Sequence, residues 1–213
     1  MSRKSAIVFI DGNNLYHNLK GFSVKPGHVD LYKLSKLACE HFNCHHKASR
    51  YYNSIPDIKD GERIYYDHLK FLEDIKKLPK FQVLTRKLQS YTTKRLLQEK
   101  QQVLNQLDLC DACRPIVEAN CFDCIGKTRT KEKGVDVMIA VDMLNLCALE
   151  DECDVCILVS GDADFVPASE IVKRHDKEVF SVSVPRGYSW ELRKTLDFWT
   201  LKKEFLFENC MKD

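Results

Sequence analysis

The sequence has no apolar stretch approaching the roughly 20 residues that a bilayer-spanning helix needs. Its first apolar run, Ala-Ile-Val-Phe-Ile, meets an Asp-Gly-Asn-Asn turn too soon to form the core of a signal peptide. A strong charge of either sign is also missing: 33 Lys and Arg stand against 31 Asp and Glu, a formal net charge of +2. That excludes a chain that adheres to polyanions through bulk charge, so any attraction to phosphate has to come from a local patch. No internal repeat and no long low-complexity segment interrupts the sequence. No Gly-x-Gly-x-x-Gly follows an apolar run, which removes the dinucleotide-binding fingerprint. These absences lead us to expect a soluble cytoplasmic protein with no membrane partner; self-association is left open.

The 213 residues, 44% hydrophobic and 30% charged, suit one main core carrying an insertion. Of the 10 cysteines, Cys39, Cys44, Cys147, Cys153, Cys156 and Cys210 sit in apolar or amphipathic surroundings. They read as small buried side chains in a reducing compartment.

Periodicity predicts strands at Ser5–Asp11, Ala48–Asn53, Phe81–Leu88, Val155–Val159, Val179–Val184 and Phe198–Leu201. It predicts helices at Leu31–Phe42, Arg63–Ile75, Val135–Leu149, Asp164–Arg174 and Ser189–Leu196. The alternation argues for an α/β fold, a parallel sheet with helices on both faces. The pattern changes over residues 89–133, which read as an insertion within a domain spanning 1–213.

In such sheets the chemistry lies beyond the carboxyl ends of the strands. Asp11 closes the first strand, Asp162 and Asp164 follow the fourth, and Asp136 opens the intervening helix. Singly, each has a structural explanation, as a turn former or as an acid in a first helical turn. Brought together, such carboxylates repel and raise one another's pKa unless cations neutralise them. A hard divalent cation, Mg²⁺ or Mn²⁺, takes carboxylate oxygens and stabilises charge at phosphorus. Asn13, Asn14 and Ser160 add uncharged donors and acceptors for a water or a phosphate, and Gly12 and Gly161 permit close backbone approach. Asp142 lies about 120° around the helix from Asp136, so it is expected to support the site's ligands or the structure rather than to share a ligand direction with Asp136.

The insertion contains Cys110-x₂-Cys113-x₇-Cys121-x₂-Cys124, a spacing that can close a tetrahedral structural zinc site. A redox pair or an iron–sulfur cluster is the alternative. Residues 76–133 hold 13 Lys and Arg against 6 Asp and Glu. This surplus reads either as a solvated face or as a phosphate-tracking surface, with Lys127, Arg129, Lys131 and Lys133 leading towards Asp136. Tyr91 and Phe122 are candidate base-stacking rings.

The segments IDGNNLY, KGVDVMIAVDM and VSGDADFVPASE, in this order, resemble the signature segments of NYN domains, relatives of PIN nucleases, and are most similar to the LabA-like branch. The resemblance implies a Rossmann-like (PIN-like) sheet and metal-dependent hydrolysis of RNA, single-stranded or structured, with endonucleolytic attack favoured. It implies Asp11, Asp136 and Asp162 as metal-site acids, Asn14 as the site asparagine and Asp164 as an additional acid. Two other functions compete. A non-catalytic RNA-binding module could keep the fold, although the acid set is intact. A haloacid-dehalogenase-like phosphatase needs Asp-x-Asp after the first strand, where this chain has Asn13.

Overall fold

Alternation decides which face each residue of the central strand meets. In β1 (Ser5–Asp11), Ala6, Val8 and Ile10 enter one apolar cluster, while Ile7 and Phe9 enter another. Both faces are therefore covered, which is why the run is continuously apolar rather than alternating. The computed structural model describes residues 3–58, 61–87, 93–121, 134–185 and 187–212.

After β1 come α1 (Gly12–Gly21), α2 (Leu31–His41), β2 (His45–Ile55), α3 (Glu62–Lys76) and β3 (Phe81–Lys87). Then follow α4 (Thr93–Gln106), α5 (Cys113–Cys121), α6 (Val135–Met143), β4 (Val155–Val159) and α7 (Val166–Arg174). The chain continues through β5 (Glu178–Ser183), α8 (Trp190–Thr195), β6 (Asp197–Thr200) and α9 (Lys203–Asn209). The six strands form one sheet in the order β3-β2-β1-β4-β5-β6, and every pair with a described register runs parallel. The order reverses between β1 and β4, so the switch point opens at their carboxyl ends.

Leu15 and Leu19 of α1, Leu34 and Ala38 of α2, Leu72 of α3 and Leu206 of α9 pack on one face. Val135, Ile139 and Met143 of α6, Val172 of α7 and Leu192 of α8 pack on the other. The chain divides into two compact units, Met1–Arg86 with Gly134–Asp213, and Lys87–Lys133. In the second, Arg114 of α5 donates to the Asn105 side chain of α4 at 3.3 Å. No helix among the described residues is long and apolar enough to cross a membrane.

Several elements differ from expectation for local reasons. The Asp-Gly-Asn-Asn segment is the start of α1, because the Asp11 side chain accepts the Asn14 N–H and caps the helix. β2 starts earlier than Ala48: its register passes from Ala6↔His46 to Ile7↔Ala48, so Lys47 is bulged out and breaks the period. The helix expected through Leu149 is α-helical only to Met143 and continues as a π-helical turn, Leu144–Leu149, that sinks Cys147 into the core. A 3₁₀ turn, Ala163–Phe165, precedes α7, whose first turn accommodates Pro167.

Asp142 tethers α6 to β2. Arg50 Nη1 and the Tyr52 hydroxyl both donate to Asp142 Oδ2, at 2.6 and 2.7 Å. Burial and the Asp142 carboxylate push the Tyr52 phenol well above its usual range, so it stays a donor. Asp142→Ala strands two donors and should lower the unfolding free energy by about 2 kcal/mol. Asp142→Asn keeps an acceptor and should cost less. Urea titrations of the three proteins check the ranking.

Candidate active site

Position 11 continues the Ile7–Phe9 side of β1, so the Asp11 carboxylate turns to the face that α6 covers. It is 3% exposed. Oδ1 accepts from the Asn14 N–H at 3.0 Å, and Oδ2 accepts from Ser160 Oγ at 3.1 Å. Ser160 follows β4 directly, and its hydroxyl oxygen accepts the Asp162 N–H at 3.2 Å. The hydroxyl proton is therefore committed to Asp11, and Ser160 links the ends of β1 and β4. Asp162 Oδ1 in turn accepts the Asp164 N–H at 3.1 Å, capping the 3₁₀ turn. Asp162 is half-buried and Asp164 exposed, while Asp136 sits half-buried in the first turn of α6.

Glycines let the backbone close around these acids. A Cβ at Gly12 would lie 2.4 Å from the Tyr51 ring, and one at Gly161 would lie 1.5 Å from the Gly187 carbonyl oxygen. Only hydrogen fits at either position. Asn14 Oδ1 accepts from Asn18 Nδ2 at 2.7 Å and from the Gly161 N–H at 3.2 Å, and Asn18 also donates to the Gly187 carbonyl. The Ser189 N–H closes the ring by donating to Gly161 O at 2.6 Å.

The electrostatics follow from that enclosure. Burial, followed by the Asp136 and Asp162 charges, pushes the Asp11 carboxyl up to about 6, against the downward pull of the Asn14 amide and the Ser160 hydroxyl. Asp136 is also raised, first by burial and then by Asp162 and Asp164. The four acids thus share one field. No Lys or Arg among the described residues forms a salt bridge with any of them. Among the described residues, no group of three or more His, Cys, Asp or Glu side chains is drawn together closely enough to hold a metal ion. The donor set still fits a hard cation in kind: carboxylate oxygens without a salt bridge among the described residues, those of Asp11 buried, with a hydroxyl alongside.

The other expected site residues fall differently. Asn13 is half-buried at the second position of α1. Asn14 spends its oxygen on Asn18 and Gly161, tying α1 to the Asp162 turn. Cys110, Cys113 and Cys121 are exposed free thiols, and the neighbouring Cys113 side chain lowers the Cys110 pKa. Cys124 lies outside the described residues, as do Tyr91, Phe122, Lys127, Arg129, Lys131 and Lys133. Nothing in the described residues supports the zinc site expected of the insertion. Asn18 and the Gly187–Ser189 segment join the site without having stood out in the sequence. The Asn14/Asn18 pair, one helical turn apart, was the available signal.

Asp11 has a signature in stability. Its folded pKa is raised from 3.8 to about 6. Between those values the folded chain binds more protons than the unfolded chain, so this group's contribution falls as pH rises. The full shift corresponds to about 3 kcal/mol. In EDTA, the stability of Asp11→Asn relative to the parent should therefore increase as pH rises from about 4 to about 6.5. The increase should be somewhat below that full value. Urea midpoints across this range check it, and a pH-independent difference would contradict the buried ionisation.

Comparison with known proteins places this geometry. No curated protein matches this sequence. The chain is similar in fold to a crystal structure of a protein of unknown function from Vibrio parahaemolyticus, at 18% identity and a TM-score of 0.55. The alignment covers 95% of this chain and 96% of that one. A family model of the NYN domain matches residues 5–201. The match spans β1, α6, β4 and the Asp162 turn that follows β4, and the chain belongs to the NYN domain family.

Proposed function

We propose that this chain is a metal-dependent ribonuclease of the PIN-like class, hydrolysing RNA phosphodiester bonds at the Asp11–Asp136–Asp162 cluster. The observation that carries the reading is the buried Asp11 carboxylate, whose nearest partners are an amide and a hydroxyl rather than a cation, with Asp136 and Asp162 bearing on it. A domain that needed only to bind RNA would have no use for that repulsion. Asp11, Asp136 and Asp162 would hold Mg²⁺ or Mn²⁺, which supplies Lewis-acid polarisation at phosphorus when bound. The chain's own groups do the rest. Ser160 orients Asp11 by donating to it, and the Ser160–Asp162 link holds both acids to one side of the switch point. Asp164, the exposed acid, is the group that would accept a proton from the attacking water.

Asn14 would position the Asp162 turn through Gly161, while Asn13, and Ser160 through the acids it links, would serve substrate binding. We assign Lys127, Arg129, Lys131 and Lys133 to phosphate contact, and endonucleolytic cleavage in the cytoplasm to the whole. Cys110, Cys113, Cys121 and Cys124 would bind one structural zinc in a closed thiolate site, leaving no position for substrate. The LabA-like branch of the family is part of the same proposal.

Two measurements test these assignments. With labelled RNA and added Mg²⁺ or Mn²⁺, Asp162→Asn should reduce cleavage on the order of 100-fold or more while its unfolding midpoint stays near that of the parent. Cleavage at the parental rate would make the acid cluster structural and favour the non-catalytic module. Elemental analysis after purification under reducing conditions should find about one zinc per chain. The Cys110→Ser/Cys121→Ser double variant should lack it; a parent with no zinc would end that assignment.

A further inference from the structure

Trp190 is the most exposed large hydrophobic side chain among the described residues, at 72%. An indole left in water is a feature to explain, and its address is informative. The preceding residue, Ser189, donates its N–H to the Gly161 carbonyl at 2.6 Å, and Gly161 adjoins Asp162. Trp190 therefore enters α8 one residue beyond the bond that fastens this helix to the acid turn. Ser189 Oγ caps α8 by accepting the Leu192 N–H, and Leu192 is buried, so the inward side of the short helix is settled.

The outward side carries two exposed cations, Arg193 and Lys194, and one exposed acid, Glu191. Lys194, one turn on, places its Nζ 5.1 Å from the indole centroid. Lys194 also lines a groove of about 350 Å³ together with Lys173, Arg193, Thr195 and Phe198. The Arg193 guanidinium is held by the Tyr188 hydroxyl at 2.6 Å and lies 4.2 Å from the Phe198 ring centroid. Lys173 is held by the Thr195 carbonyl at 3.1 Å. The groove's acids are Glu178, which pairs with Lys4, and Asp197; its remaining cation, Lys177, pairs with Asp151. An exposed ring on the helix fastened to the acid turn, with Arg193 and Lys194 outweighing Glu191 further along it, matches a strand that presents flat bases and phosphates in turn. A duplex keeps its base faces stacked inside and offers none to Trp190.

The geometry points to an unpaired-nucleotide subsite on α8. Trp190 stacks on one base next to the acid cluster, and Lys194 and the Lys173 side of the groove receive the adjoining phosphates. The substrate at this position is single-stranded RNA. This rests on the ribonuclease reading above and adds strand state to it.

The test is binding by the full chain carrying Asp11→Asn, with the parent in EDTA as a second background, to a short oligouridylate and to a blunt RNA duplex of equal length. The oligouridylate should quench tryptophan fluorescence. Trp190→Ala should weaken oligouridylate binding about tenfold and leave duplex binding unchanged. Trp190→Phe should restore most of the loss. Lys194→Ala should lower the slope of log affinity against log salt by about 0.7. The unfolding midpoint of Trp190→Ala should equal the parent's. Equal oligouridylate affinity for Trp190→Ala and parent, or an equal loss on both RNAs, overturns the subsite alone. A Trp190-dependent affinity for a poly(Glu,Tyr) copolymer with RNA binding untouched would make the patch a protein-docking face and also overturn it. A parent that binds and cuts neither RNA brings down the ribonuclease reading, and the subsite with it.

Discussion

The Asp11 carboxylate is held out of water at the end of the central strand, between an amide on α1 and the Ser160 hydroxyl. Removing a carboxylate from water is costly, and two neutral donors compensate only part of that cost. The surrounding structure is arranged around the remainder. Gly12 and Gly161 allow the flanking segments to approach closely enough to exclude solvent. Asn14 and Asn18 fasten the helix that Asp11 caps to the turn that carries Asp162.

The sheet order explains why these acids meet. β1 is flanked by β2 and β4, and the chain leaves the sheet in opposite directions at that boundary. Alternation along β1 turns position 11 to the α6 side, and the first turn of α6 carries Asp136. The acids thus come from segments far apart in sequence, and each unfavourable proximity is sustained by packing elsewhere. Site destabilisation and core stabilisation are linked in this way in many functional sites.

The parts of the molecule that could be read from the sequence were those with a period or a terminus. β1 and β4 are continuous apolar runs because both faces are covered, and the acids at their carboxyl ends stand out against them. What could not be read were contacts with no local trace. Asp142 meets Arg50 and Tyr52 across 92 and 90 residues, and nothing in either segment announces the other. The Lys47 bulge hid the start of β2 by breaking its alternation, and α9 is too short to display a helical period. Asn18 and Gly187 matter through a backbone contact that only the folded chain creates.

The tether at Asp142 also has a mechanical side. Asp136 lies six residues back along α6, a lever arm of about 9 Å at the rise of an α-helix. β2 grips the far end of that arm through Arg50 and Tyr52, just before the helix widens into its π-helical turn. A tilt of about 10° about that grip would carry the Asp136 backbone on the order of 1.5 Å. In the metal-holding role proposed for Asp136, a misplacement of about 1 Å would matter greatly. The stiffness of an ion pair at the far end of α6 therefore adds to the packing of Val135 and Ile139 in defining the position of Asp136.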